Sequence, residues 1–505
     1  MPFLESSRST GDVVAPTRTD PIARSASGAV GGPLGRQART AVSWWTPLRV
    51  IILVATVVFG LGVFQKSPCV VTNWSQSASP LPFSHMCYSD IQPLYVARGL
   101  AEGIPPYQPQ SDLPANKQPA DVQQAHDLTV EYPVLTGVWM GASAVVTHLV
   151  GDDPDLAATP HSAIGGNPQV QHDTAVFWSV NAVGFFLVLV IALALLVKAQ
   201  RRRPWDAMFV AASPALALAA TINWDMLAVG CVAGILWAWS TRRPILTGVF
   251  IGLGVATKLY PLFFLGPLLV LCMRERRLDA WTKTCAAALL AWLAVDLPVY
   301  YWSPDAFLWF WQFNASRGAD YGSVWLVASD LGHVASVGLI NTVTWVVFGA
   351  ACLLIGVLGL LAPRRPRVVQ LVFLVVASFL LVNKVYSPQY VLWLLPLAAL
   401  ARPRWRDMII WQACEIFYFF AVWMHIANFF VAEGSFDWVY ALSVAVRIAG
   451  EVYLMVLVVR DIMSPWHDPV RSDGLSDDPL GGILDEGIDS EPELEPTPTL
   501  ARATS

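Results

Sequence analysis

Lys258, Lys384 and Asp225 are charged residues set in otherwise apolar stretches, and their neighbours suggest a shared chemistry. Thr257-Lys258-Leu259-Tyr260-Pro261 and Asn383-Lys384-Val385-Tyr386-Ser387-Pro388 each put an ammonium just ahead of an expected helix start. Ser387-Pro388 pairs a capping hydroxyl with a proline whose φ is preset, and Tyr260-Pro261 likewise places proline in a first turn. A helix N-terminus beside an ammonium is a ready phosphate site, so two of them facing one cavity suit a pyrophosphate or a lipid phosphate. Two carboxylates supply the other half of a transfer reaction. Asp90 follows Cys87-Tyr88-Ser89, and Glu131 opens Glu131-Tyr132-Pro133; either is a candidate general base toward a substrate hydroxyl. Plainer readings stay open beside these. Lysines at helix ends snorkel to lipid headgroups, and Asp90 could simply cap the helix that follows it.

The elements that must position these groups are membrane helices. Of 505 residues 55% are hydrophobic and 14% charged, where soluble domains carry about a quarter charged. The apolar runs recur along nearly the whole chain and reach the roughly 20 residues that span a bilayer. Twenty-two Trp and thirteen Tyr suit membrane interfaces. Basic clusters punctuate the runs at Arg36, Arg39 and Arg49, then near Arg202, Arg242, Arg276, Arg365, Arg404 and Arg460. Placed inside by the positive-inside rule, they make both termini cytoplasmic and leave residues 65–174 as a long extracytoplasmic first loop. In that loop residues 133–150 are expected to lie in the interface or dip and return, because the next run must deliver Arg201 to the cytoplasm. Only about 30 residues separate Arg243 from Arg274, which leaves about 22 Å for each of two crossings. The Lys258 tip, and by the same count the Lys384 tip, should therefore sit below the surface, where irregular backbone must line a cavity. Asn223-Trp224-Asp225 forms a third tip. The expectation is an all-α polytopic protein of about twelve crossings, with juxtamembrane helices in the first loop and a cavity opening outward.

Residues 1–43 and 463–505 read as disordered cytoplasmic tails around a transmembrane domain over 44–462, the second tail acidic and Pro-rich. Cys69 and Cys87 fall outside the membrane, where an oxidising compartment would allow a disulfide. The eight histidines show no metal-ligand spacing, and no Walker loop, G-x-S-x-G or dinucleotide fingerprint is present, so no metal, cofactor or nucleic acid is expected.

The first-loop Ser89-Asp90, the PLYVARGL helix and PPY after it, the EYP turn, TKLYP at one tip and NKVYSPQY at another resemble glycosyltransferase family 87. These are actinobacterial polyprenyl-phosphate-mannose-dependent mannosyltransferases of the GT-C superfamily, and the resemblance covers roughly 49–460. It implies a GT-C-like fold and an inverting transfer of mannose from a polyprenyl-phosphate donor to a cell-envelope glycan or glycolipid, on the extracytoplasmic side of the plasma membrane. Under it Asp90 is the general base, and Lys258 and Lys384 stabilise the departing phosphate. Asp225, Tyr260 and Tyr386 orient sugar or phosphate, and Glu131 and Arg98 complete the binding set. Two rivals remain at this stage: a flippase or transporter of a lipid-linked sugar, and a non-catalytic protein of envelope assembly. A transporter usually shows an internal repeat, and only a weak echo links residues 207–240 with 368–400.

Overall fold

A computed structural model describes residues 13–29, 44–70, 81–113, 128–431, 435–474 and 477–485. The described residues are helical and hold no strand. Six helices are long and apolar enough to cross a membrane: α1 (Pro47–Val70), α4 (Pro168–Ala199), α8 (Leu278–Trp302), α11 (Val337–Leu361), α14 (Trp405–Ile426) and α15 (Trp438–Met463). Six shorter apolar helices accompany them. They include α3 (Val134–Val150), α5 (Asp225–Ser240), α6 (Pro244–Val255), α12 (Val368–Val382) and α13 (Val391–Ala401). α7 (Leu265–Arg274) continues from a 3₁₀ turn at Tyr260–Phe264. The chain is a membrane protein by this measure.

Local chemistry fixes the helix ends. Asn167 accepts a hydrogen bond from the Gln169 amide with Pro168 as the first helical residue, so α4 starts with both a cap and a preset φ. Ser336 caps α11 through Leu339, and Asp437 caps α15 through Val439 and Tyr440. The long helices keep bare apolar faces, with Leu53, Leu61, Leu187, Leu290 and Leu353 all exposed. Among the short helices α5, α12 and α13 are apolar nearly all round and largely buried: every residue of α13 lies inside. A helix apolar on all faces belongs in the middle of a bundle. The short hairpins are thus its centre, and the long helices its wall. Close approach holds one of them there. Gly248 and Gly252 of α6 face the Thr284 and Ala288 carbonyls of α8 with no room for a Cβ, the small-residue packing that membrane helices use.

Three differences from the sequence reading have physical causes. The PLYVARGL run, read as one helix, breaks before its end: α2 (Ile91–Ala97) stops where Gly99 takes φ 70° and turns the chain into a 3₁₀ turn at Leu100–Glu102. A second loop region, not foreseen, carries α9 (Pro304–Ser316) and α10 (Val324–Asp330) between the long helices α8 and α11. The tails are partly folded. In the first, short helices at Pro16–Thr19 and Pro21–Ala29 dock where Val14 N–H donates to the Arg202 carbonyl (2.8 Å) and Asp20 accepts from the Trp405 amide (2.8 Å). In the second, Asp468 takes two hydrogen bonds from Arg367 (2.8 and 3.0 Å), Arg471 reaches Asp477 (2.8 Å), and Arg365 pairs with Asp485. Two acids expected to be solvated, Asp468 and Asp485, are therefore partners of arginines over a hundred residues away. Residues 1–12, 30–43 and 486–505 lie outside the described residues.

Candidate active site

The Asp90 segment is bolted down from two sides. At the end of α1, Lys66 donates to the carbonyls of Tyr88 (2.9 Å) and Met86 (3.3 Å), and Gln65 also reaches Met86 (2.8 Å). One turn on, Cys69 and Cys87 form a disulfide with Cα atoms 5.7 Å apart. From the other side, the Ser89 hydroxyl donates to Thr221 (2.8 Å), and the Asp90 amide donates to Ile222 (2.7 Å). Asp90 is thereby fixed against the tip that carries Asp225. Its side chain makes no capping bond to α2, although it stands at the cap position. The carboxyl is half-buried and hydrogen-bonded to the Tyr88 hydroxyl, and it joins no ion pair among the described residues.

Asp225 and Lys258 face it as a pair. Lys258 Nζ lies 2.8 Å from Asp225 Oδ1, and Trp393 Nε1 donates to the other oxygen at 2.8 Å. The Lys258 ammonium sits over the rings of Tyr132 (5.1 Å), Tyr390 (5.9 Å) and Trp393 (5.9 Å), an aromatic cage that favours a cation. Glu131 accepts from Arg98 Nε at 2.8 Å. Tyr260 stacks on Trp393 with centroids 4.6 Å apart, and its buried hydroxyl has no hydrogen-bond partner.

Electrostatics gives these groups different tasks. Burial pushes the Asp90 carboxyl up to about 6, with the Glu131 and Asp225 charges adding to the rise; the Tyr88 hydrogen bond and the Lys258 charge pull the other way. The Asp90 charge and burial together raise the Tyr88 phenol, which stays protonated as a donor. Burial is the largest single influence on the Lys258 ammonium and works against it, but the Asp225 charge and hydrogen bond, with Tyr390 and the Asp90 charge, together outweigh it, and the net shift is upward. The cluster therefore offers a carboxyl able to take a proton near neutrality, within electrostatic reach of a cation that stays charged.

Two expected members stand elsewhere. Lys384 Nζ donates to the Asn314 carbonyl and to Asn341 Oδ1, both at 2.7 Å, and burial and the Arg317 charge lower its pKa. Tyr386 gives its hydroxyl to Glu415 (2.9 Å), beneath Arg447 at 3.8 Å from its ring. The ring that reaches the Lys258 cage is Tyr390, four residues on. Ser387 takes the cap position before Pro388 but makes no side-chain capping bond. Sequence reasoning missed Arg317, held by Asp320 (2.9 Å) and close enough for its charge to act on Lys384 and on Tyr390. It also missed Lys66 and Trp393. In sequence Lys66 stands at the end of an apolar run, as a snorkelling lysine does, and Trp393 within one, so nothing set either apart. Elsewhere Asp152, His172 and Asp173 bring ligand atoms within 4.8 Å of one another, but Asp173 already accepts from the Asp152 and Asp153 amides (2.7 and 3.1 Å).

A helical membrane bundle with a buried carboxylate–ammonium cluster at one end is the class that fold and site define. The family model for glycosyltransferase family 87 matches residues 162–383, and that match supports this family and with it glycosyl transfer as the activity. It takes in Asp225 and Lys258 and stops before Tyr390; Asp90 and Glu131 lie outside it. No curated protein matches the chain.

Proposed function

We propose that the protein is an inverting glycosyltransferase that moves a sugar, mannose being the first choice, from a polyprenyl-phosphate donor to a cell-envelope glycan or glycolipid. The reaction takes place on the extracytoplasmic side of the plasma membrane, with both termini cytoplasmic. One observation carries this reading: among the described residues Asp90 forms neither a cap nor an ion pair, yet sits in electrostatic reach of the caged Lys258. The acceptor O–H loses its proton to the Asp90 carboxylate, and its oxygen attacks the anomeric carbon from the face opposite the phosphate. The bond from that carbon to the phosphate oxygen breaks, the electron pair leaves with the lipid phosphate, and configuration inverts. Lys258 meets the charge that develops on the leaving oxygen, where a preset cation is worth most. Arg317 is offered as the second cation in this role: Asp320 holds it, and its charge bears on Tyr390 of the same cage. Asp225 holds Lys258 in place, Trp393 holds Asp225, and Arg98 orients Glu131. The proposal draws on protein groups alone and needs no cofactor.

The test is transfer of radiolabelled mannose from polyprenyl-phosphate mannose to endogenous acceptors in membranes carrying wild type or Asp90→Asn at equal protein levels. Label incorporated by wild type and lost in the variant supports the reading. Equal incorporation moves the base to Glu131, and no dependence on the wild type removes the proposed reaction.

A further inference from the structure

The end of the bundle away from Asp90 holds a groove that the proposed reaction does not use. α1 reaches the Asp90 segment with its last residues, α4 accepts from Trp224 through Asn181 (2.8 Å), and α5 begins at Asp225. The start of α1 and the last turns of α4 and α5 therefore meet at the far end. Between them lies an open-sided groove of about 570 Å³, whose lining includes Leu48, Val197, Lys198, Arg201, Trp237 and Thr241. Two cations line it, and no acid does among the described residues. Both are exposed, and neither side chain meets a carboxylate or a hydrogen-bond acceptor among the described residues. The cations around them are engaged otherwise. Arg49 lies over the Trp44 ring (4.1 Å), Arg243 over the Trp237 ring (5.6 Å), and Arg203 joins Asp206 (2.8 Å).

The positive-inside rule accounts for basic residues at this end, and a lysine in the last turn suits the dipole of α4. Neither accounts for a concave site that sets two such cations beside an apolar wall. A soluble anion would meet the cations and leave Leu48, Val197 and the Trp237 ring uncovered. An aliphatic chain would cover the wall and leave the cations without a counter-charge. A molecule with an anionic head and acyl chains satisfies both. α4 shows where the chains go. Leu187 and Ile191 are exposed and stand about three and two turns before Lys198, so all three share a face. That apolar stripe leads from the groove toward the middle of the bilayer. Basic pockets between membrane helices hold anionic lipid heads by the same pairing of charge with apolar helix surface. We propose that the groove binds the headgroup of an anionic phospholipid, with its phosphate between Lys198 and Arg201 and its chains along Ile191 and Leu187. The leaflet is the one that the proposed topology makes cytoplasmic, and the site holds lipid whether or not the protein transfers sugar.

The experiment is native mass spectrometry of the purified full chain in detergent, titrated with phosphatidylglycerol or phosphatidylcholine. Wild type should retain phosphatidylglycerol in preference to phosphatidylcholine. Lys198→Gln combined with Arg201→Gln should weaken the phosphatidylglycerol complex about thirtyfold, and either change alone about fivefold. Phosphatidylcholine binding should not move. Both side chains are exposed, so the variants should unfold at the wild-type temperature. Arg276→Gln removes an exposed cation of the same end that does not line the groove, and should leave binding unchanged. Equal weakening by Arg276→Gln would show a general surface attraction and overturn the site. So would a wild type without preference, or binding indifferent to Lys198 and Arg201. Displacement of the lipid by excess glycerol phosphate would mark a soluble-anion site and overturn it too. Binding seen only after removal of residues 486–505 would give the groove to that acidic tail, and a dimer lost in the double variant would give it to a second copy. Either result overturns the proposal.

Discussion

The two ends of the bundle treat charge in opposite ways. At the end opposite Asp90, arginines are buried and closely partnered. Arg367 binds Asp468 and donates to the Leu400 carbonyl (2.8 Å) and the Ala401 carbonyl, at the C-terminus of α13. Arg402 joins Asp407 (2.7 Å) and Asp461, and Arg203 joins Asp206 (2.8 Å). Cations placed on the last carbonyls of a helix suit its dipole as well as its unpaired acceptors. At the Asp90 end the balance is reversed. Asp90, Glu131 and Asp225 gather around Lys258 and Arg98, and one carboxyl is left without a cation. Paired charges hold helices in register; a charge left short of a partner stays available for chemistry. The same residue types thus serve as fasteners at one end and reagents at the other.

The contrast can be broken at several points. The largest effect is expected from Asp90→Asn, which should lower transfer by about 10²–10⁴, the usual range for a general base, while thermal unfolding stays where it was. Lys258→Met tests the residue that belongs to both halves. Transfer should fall by about 10²–10³ for a lost charge stabiliser, and the unfolding temperature should fall too, because Asp225 is left buried and unpaired. Arg402→Ala should do the reverse of Asp90→Asn: a stability loss of about 3–5 kcal/mol, as for any broken buried pair, seen in unfolding and expression, with kcat of the folded fraction kept. The smallest difference separates two half-buried cations. Arg317→Ala should raise the donor KM several-fold, and Lys384→Ala should leave it near wild type, since Lys384 is held by Asn314 and Asn341 outside the cage. Equal effects of the two would contradict the assignment of Arg317.

Much of the Asp90 end could be read from the sequence. Charge is costly in apolar stretches, so Asp225 and Lys258 stood out; both were read as hairpin tips, the Lys258 one recessed because its hairpin is short. What could not be read was which way a ring or an ammonium points. NKVYSPQY contains Tyr386 and Tyr390, and only packing decides that the second reaches Lys258 while the first meets Glu415. Lys384 looked equivalent to Lys258 for the same reason, and its asparagine partners lie 70 and 43 residues away. Arg317 was hidden in a Trp- and Phe-rich stretch that gave no sign of folding back over the site. The arginine end misled in another way: composition marked residues 463–505 as solvated, yet Val470, Leu480 and Leu484 are buried among the ion pairs of that tail. Long-range pairing leaves no local trace.

The pH dependence of sugar transfer tests the role of Asp90 most directly. A base works only when deprotonated, so a carboxyl held at about 6 leaves a smaller active fraction as the pH falls below that value. Lys258, shifted upward, stays charged throughout the neutral range. The account predicts kcat/KM that is level above about pH 7 and falls roughly tenfold per unit below about pH 6, with this acid limb missing from the residual activity of Asp90→Asn. A profile flat from pH 5 to 8, or an acid limb unchanged in that variant, would contradict it.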